Sequence, residues 1–401
     1  MPQLRQGNTS QCGQPMKRHG HEAKAVCGVG TRHGHCVRAG PVDNTRTSGV
    51  KYNRRGATAT VHATAPQAVL VWTFRADYTG KHDQKDEEGH QMSIAFVFPG
   101  QGAQTIGMGR ALAQAYPAAR SVFDEVDEAL GEDLSALIRE GDIETLTLTQ
   151  NAQPALMATS MAAMRALQAE GIGIDRAAFV AGHSLGEYSA LCAAGTLSIA
   201  DAARLLRTRG RAMQEAVPVG VGAMAAVLGL DFEAVTEVAA EAAQGEVCQA
   251  ANDNDPGQVV VSGHRAAVER ACEIAKGRGA KRAMLLPVSA PFHCALMEPA
   301  AGVMAEALAG VDMRPPAVSV VPNVQASGCS DPATLRALLV DQVTGSVRWR
   351  ESVGWMAGQG VTEMWEIGAG KALSGMIRRI DREVVTRAVG TPEDVVAARD
   401  A

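Results

Sequence analysis

The chain has 401 residues, 46% hydrophobic and 20% charged, with a formal net charge of -5. No run of about eighteen apolar residues occurs, so the sequence offers no transmembrane helix, and the mild acidity argues against nucleic acid as the main partner. Eight cysteines make no disulfide framework at this length, and Cys192, Cys248, Cys272, Cys294 and Cys329 are scattered as suits a reducing cytosol. The length leaves room for two or three domains or for one large α/β enzyme.

The average hides a break at residue 91. Up to Gln91 there are 13 Lys/Arg against 7 Asp/Glu, a net of +6, and seven of the ten histidines; the remainder holds 25 against 36, a net of -11. Residues 1–91 lack periodicity of either kind, and their one apolar run, Ala68-Val69-Leu70-Val71-Trp72, is isolated. They read as disordered or as a spurious extension. Cys27, His33, His35 and Cys36 can be drawn as a metal site, but the spacing fits no zinc pattern. The segment has no signal-peptide core, and it is long and late-acidic for a transit peptide. Glu87-Glu88-Gly89 must be encoded by a purine-rich run of the kind bacterial ribosomes bind, so Met92 is expected to be the true start.

From Met92, residues 93–98 read as a strand ending in the glycine turn Pro99-Gly100-Gln101-Gly102-Ala103-Gln104. The spacing is neither G-x-G-x-x-G nor a P-loop; the glycines instead let the amide of Gln101 point into a site at the strand end. Helices follow over 108–115, 118–130 and 152–170, the last with Thr149-Gln150-Asn151 as cap chemistry. Next comes Ala177-Ala178-Phe179-Val180-Ala181-Gly182-His183-Ser184-Leu185-Gly186-Glu187, an apolar run into Gly-x-Ser-x-Gly with a helix-forming run behind it. That is the pattern of a nucleophile elbow, in which two residues without Cβ permit a sharp strand-to-helix turn that presents Ser184. Unpaired amides at the following helix start can receive an oxyanion.

Residues 201–214 form an amphipathic helix. Arg204, Arg207 and Arg211 cluster on one side, while Arg209 stands opposite, among Ala202, Leu205, Leu206 and Met213. A guanidinium in an apolar stripe needs an anionic partner, either a structural Asp or Glu or an anionic substrate group. Residues 221–288 then run strand, helix, strand, strand, helix, strand, with the middle strands at 246–251 and 258–262 around an Asn/Asp/Pro/Gly turn. The βαββαβ order is that of a ferredoxin-like unit. The expected fold is therefore α/β: an α/β-hydrolase-like large subdomain over 92–220 and 289–395, with a ferredoxin-like small subdomain inserted at 221–288. The chain re-enters at Ser289-Ala290-Pro291-Phe292-His293, followed by a helix over 297–308, a strand over 318–321 ending at Asn323, a helix over 334–342, a strand over 363–367 and a helix over 373–379. Gly368-Ala369-Gly370-Lys371 lacks the Gly-Lys-Ser/Thr of a nucleotide loop and reads as a tight strand-to-helix turn.

Beyond Met92 there are three histidines. A serine nucleophile needs a base, usually histidine. His183 adjoins Ser184 in the turn and is expected to project away; His264 falls at a helix start in the inserted unit. His293, at a re-entry loop, is left as the base, in the chain order Ser…His of elbow folds. No acid stands out as a third member, and a backbone carbonyl can fix the tautomer instead. The expected oxyanion donors are the amides of Leu185 and Gln101.

Taken together, Phe98 to Gln104, Gly182 to Glu187, Arg209 and Pro291-Phe292-His293 resemble the malonyl-CoA:acyl-carrier-protein transacylases of bacterial type II fatty acid synthesis, in order over residues 92 to 390. The resemblance implies Ser184 as nucleophile, His293 as base, Arg209 as the fork for a malonyl carboxylate, and Gln342 as the residue whose backbone carbonyl orients the histidine. Phe292 resembles the malonyl-selecting form. The implied activity is ping-pong transfer of malonyl from CoA to the phosphopantetheine thiol of an acyl carrier protein, in the cytoplasm, by a monomer, with no metal or cofactor. The implied partners are malonyl-CoA and the carrier, without nucleic acid or membrane. Lys281, Arg282, Arg378 and Arg379 offer a basic surface either for an acidic carrier or simply for solvent. The rival readings are a serine thioesterase or other hydrolase on the same elbow, a non-catalytic carrier-binding module, and a loader for polyketide synthesis or a malonate decarboxylase.

Overall fold

The computed structural model describes residues 93–288 and 290–401. The expectations for residues 1–91, Met92 and the Cys27/His33/His35/Cys36 group lie outside the described residues. Nine strands occur among the described residues: β1 (Ser93–Phe98), β2 (Ala177–Gly182), β3 (Gly222–Leu228), β4 (Cys248–Asp255), β5 (Gln258–His264), β6 (Arg282–Leu285), β7 (Ser319–Val321), β8 (Val361–Ile367) and β9 (Val385–Val389).

β1 is an unbroken apolar run after its first residue, and all of it from Ile94 on is buried. A strand apolar on both faces belongs inside a parallel sheet covered by helices on both sides. That is its position: β7-β2-β1-β8-β9 form a five-stranded sheet, parallel throughout. Phe96 and Phe98 point into the larger core with Val180, Trp365 and the helix Thr149–Ala169. Ala95 and Val97 point the other way, into a core with Ala181, Val321, Trp349, Met356 and Ile377. The helix Thr149–Ala169 is buried on nearly all sides, as a helix apolar all round must be. The helix Ile199–Glu215 packs across it at Gly210, where a Cβ would stand 2.5 Å from Gln150 Cα. That close approach brings Arg209 to the level of Gln153.

The remaining strands form an antiparallel sheet in the order β4-β5-β3-β6, with the helices Phe232–Ala243 and Arg265–Gly277. Its own core is built on Val227, Val235, Val238, Val259, Val261 and Val268. The two sheets together are the large α/β and small ferredoxin-like arrangement expected. Several local expectations need correction. Thr149-Gln150-Asn151 do not cap their helix; they are its first turn, after Leu148. β4 continues through Asn252-Asp253-Asn254-Asp255, which read as a turn. Polarity misled there, because each of the last three side chains has a partner outside its own sheet: Asp253 takes Arg350 at 2.9 Å, Asn254 takes His183 at 2.8 Å, and Asp255 takes Arg379 at 2.8 Å. Only Pro256-Gly257 remain to turn the chain. The helices Leu134–Glu140, Ile143–Thr147, Trp349–Gly358 and Pro392–Arg399, together with β9, carried no recognised signal.

Candidate active site

The elbow joins the end of β2 to the helix Gly186–Ala193. Its glycines are sterically required. A Cβ on Gly182 would lie 1.9 Å from the Gly186 carbonyl carbon, and one on Gly186 would lie 2.3 Å from Phe98 O. Between them Ser184 sits at φ 54, a left-handed conformation that costs a non-glycine residue about 1–2 kcal/mol. Hydrogen bonds hold it there. Ser184 N donates to Asn323 Oδ1 at 2.7 Å, Asn323 Nδ2 donates to Gly182 O at 2.6 Å, and Gln342 Nε2 donates to Ser184 O at 3.0 Å. The anchor thus comes from the end of β7 and from the helix Pro332–Thr344.

Ser184 Oγ lies 2.7 Å from His293 Nε2, and His293 Nδ1 lies 2.9 Å from Gln342 O. A carbonyl can only accept, so Nδ1 carries the proton and Nε2 is left as acceptor for the serine hydroxyl. His293 is 3% exposed. Burial, and then the positive Arg209, push its pKa down to about 3, which keeps the imidazole neutral and able to accept a proton. His183 turns away to Asn254, and His264 accepts the Val247 N–H at 2.9 Å; neither reaches Ser184.

Arg209 is 1% exposed. Nη1 donates to Gln153 Oε1 at 2.8 Å, and Nη2 donates to Gln342 Oε1 at 2.9 Å and to Ser184 Oγ at 3.2 Å. Its guanidinium also lies 5.8 Å from the centre of the Tyr188 ring. Among the described residues no carboxylate makes a direct ion pair with it; the Glu187 carboxyl is reached only through the Gln342 side-chain amide. Arg207, on the side of the helix opposite Arg209, is 6% exposed, paired with Glu132 at 2.6 Å and bonded to Gln150 O and Asn151.

The β1 turn packs directly on the elbow. His183 N donates to Phe98 O at 3.1 Å, and a Cβ on Gly100 would stand 2.7 Å from His183 O. Neither Gln101 N–H nor Leu185 N–H engages a backbone acceptor among the described residues. Phe292 is buried beside His293. Lys281, Arg378 and Arg379 line a cleft of about 600 Å³ with Asp255 and Arg382, where Arg379 is already paired to Asp255. Among the described residues no group of three or more His, Cys, Asp or Glu is placed to hold a metal ion.

Sequence reasoning missed Gln153, Asn323 as an elbow anchor, and Glu187. Glu187 was in view within the elbow motif, but nothing in one sequence says that its carboxyl is fully buried. Its Oε2 accepts from Asn323 N and from Gln342 Nε2, each at 2.8 Å.

A parallel sheet whose strand end carries a strained serine, a neutral histidine in contact with it and a buried guanidinium defines an α/β enzyme of the nucleophile-elbow class. Residues 95–363 match the family model described as acyl transferase domain. Over 306 residues the chain is 50% identical to the malonyl CoA-acyl carrier protein transacylase of Bacillus subtilis (strain 168), covering 76% of this chain and 96% of that one. The Escherichia coli (strain K12) protein of the same name is 48% identical over 305 residues, covering 76% and 98%. The crystal structure of acyl-carrier-protein-S-malonyltransferase from Bartonella henselae superposes with a TM-score of 0.75 at 55% identity, covering 77% and 98%. A malonyl-transacylase in complex with its type II polyketide acyl-carrier protein gives 0.75 at 44% identity, covering 77% and 99%. This chain belongs to the malonyl CoA-acyl carrier protein transacylase family of acyl transferases.

Proposed function

We propose that the protein transfers the malonyl group of malonyl-CoA to the phosphopantetheine thiol of an acyl carrier protein, for fatty acid biosynthesis, through a malonyl ester of Ser184. The observation that carries the reading is Arg209: a buried guanidinium 3.2 Å from the nucleophile oxygen, ringed by neutral acceptors. No carboxylate touches the guanidinium directly, and a substrate carboxylate would supply that direct partner in a bidentate geometry.

In the proposed first half-reaction Ser184 Oγ attacks the thioester carbonyl while His293 Nε2 takes its proton. The oxyanion receives the amides of Leu185 and Gln101, the kind of donor worth about 3 kcal/mol of barrier. The C–S bond breaks as His293 Nε2 hands that proton to the departing sulfur, so CoA leaves as the thiol and the imidazole is neutral again. In the second half the carrier thiol gives its proton to His293 and attacks the ester carbonyl, and Ser184 recovers its proton as the leaving group. Gln342 O holds the imidazole tautomer throughout. A thioester is already activated, so the scheme calls on no cofactor. The setting we infer is the cytoplasm, where both thioesters are soluble; among the described residues no helix is long and apolar enough to cross a membrane.

The test is transfer from malonyl-, methylmalonyl- and acetyl-CoA to purified holo carrier proteins of fatty acid and polyketide type. The expected result is a malonyl-serine that persists without thiol and discharges to the fatty acid carrier. Discharge to water as fast as to the carrier makes the protein a hydrolase and refutes the reading. Preference for the polyketide carrier refutes the pathway alone.

A further inference from the structure

Glu187 is a carboxylic acid with no role in the scheme above, yet it is fully buried, three residues after the nucleophile Ser184. One oxygen, Oε2, accepts from Asn323 N and Gln342 Nε2; the other, Oε1, has no hydrogen-bond partner. Gln342 is a bridge, because the same side chain gives its Nε2–H to Glu187 and takes the Arg209 Nη2–H on Oε1. The acid is therefore one amide group away from the guanidinium proposed to hold the substrate carboxylate.

Charge balance makes this connection consequential. With Glu187 ionised, the free pocket is neutral, and a substrate carboxylate would bring two buried negative charges to one guanidinium. With Glu187 protonated, the free pocket is positive and the loaded pocket neutral. We propose that Glu187 is a positioning residue for acyl selection: through the Gln342 amide it balances Arg209 while the pocket is empty, and it holds a proton whenever Arg209 holds the substrate carboxylate. This rests on the reading of Arg209 given above.

Neither the charged groups acting on Glu187, Arg209 and Tyr188, nor the two histidines of the site titrate in the working range. Arg209, from the helix Ile199–Glu215, keeps its proton. Tyr188, on the elbow helix, has its phenol pushed up by burial. His293, from the re-entry loop, stays neutral down to about 3, and His183, in the elbow, is lowered by burial. Asn323, Gln342 and Gln153 carry no charge. Burial raises the Glu187 carboxyl to about 7, against the lowering effects of Asn323, Gln342 and Arg209. A carboxylate on Arg209 cancels the last of these and raises it further. By linkage, the ionised form must then bind the anionic acyl group more weakly.

The experiment compares acylation of Ser184 by malonyl-CoA and by acetyl-CoA from pH 6 to 9, read by quenching and mass spectrometry. Compared as kcat/KM, both reactions start from the same free protein, so its imidazole ionisation cancels in the ratio. In the native protein the malonyl-to-acetyl ratio should fall above pH 7, approaching tenfold per pH unit in the fully coupled limit. In Glu187→Gln the ratio should be level. A level ratio in the native protein, or a fall that persists in Glu187→Gln, overturns the proposal while leaving malonyl transfer intact; absence of malonyl-serine at every pH overturns both. Should the variant fail to fold, proton counting on the native protein decides. At pH 8, malonyl loading should take up about one proton per serine more than acetyl loading, and equal counts overturn the proposal.

Discussion

Replacing Arg209 by alanine separates the charge of the acyl group from the rest of the chemistry. In the free protein the guanidinium makes three hydrogen bonds, to Gln153, Gln342 and Ser184, none of them to a carboxylate. Its removal strands two amide oxygens, at about 1 kcal/mol each, and relieves a buried charge whose Nε has no partner. The free protein should lose on the order of 2 kcal/mol or more through the stranded acceptors and the cavity left by the buried side chain, a loss common to both acyl groups. The malonyl complex changes much more, because the substrate carboxylate is left buried without a counter-charge, a loss of about 3–5 kcal/mol. At about 1.4 kcal/mol per decade, malonyl kcat/KM should fall by a factor of roughly 140 to 3,700. Acetyl transfer needs no counter-charge and should hold or rise. The assay is rapid-quench formation of malonyl- and acetyl-serine on the same preparation, with chemical denaturation as the control for folding. Equal loss for both acyl groups, or a malonyl loss under about tenfold, would refute the carboxylate role of Arg209.

Other expected outcomes follow from the same geometry. The acid limb of kcat/KM should lie far below the ordinary histidine range, because burial and Arg209 hold His293 down to about 3. The limb of kcat should lie higher, since bound malonate cancels the Arg209 charge; an inflection in kcat/KM near pH 6.5 would contradict this. Asn323→Ala leaves Ser184 N–H and Gly182 O without their partner, so denaturation should show a loss of about 2–5 kcal/mol together with reduced kcat. Gly182→Ala should yield no folded, active protein, since the 1.9 Å overlap is with backbone; a soluble and active variant would contradict the elbow geometry. Glu187→Gln should gain stability relative to the native protein as pH rises from 4.5 to about 7. A carboxyl raised in the folded state binds protons that the unfolded chain has released, so the native protein loses that stabilisation as pH climbs to the folded value. The span is worth about 3 kcal/mol, and parallel curves for the two proteins would count against a buried, titrating Glu187.

What could be read in the chain alone was what local chemistry dictates. Gly182 and Gly186 around Ser184 demanded a turn that only residues without a Cβ can make, and the apolar runs of β1 and β2 demanded a covered sheet. Arg209 within an apolar stripe demanded an anion, and His293 was left as base once His183 and His264 were placed elsewhere. The βαββαβ order needed only periodicity. The tertiary structure alone decided what depends on partners distant in sequence. Asn252 to Asp255 form strand rather than turn because Arg350, His183 and Arg379 reach them from elsewhere. Arg207 is buried because Glu132 lies beside it. Glu187, Asn323 and Gln342 come together from three separate elements, and a polar residue in one sequence carries no mark of whether its partner will be water or a side chain over a hundred residues away.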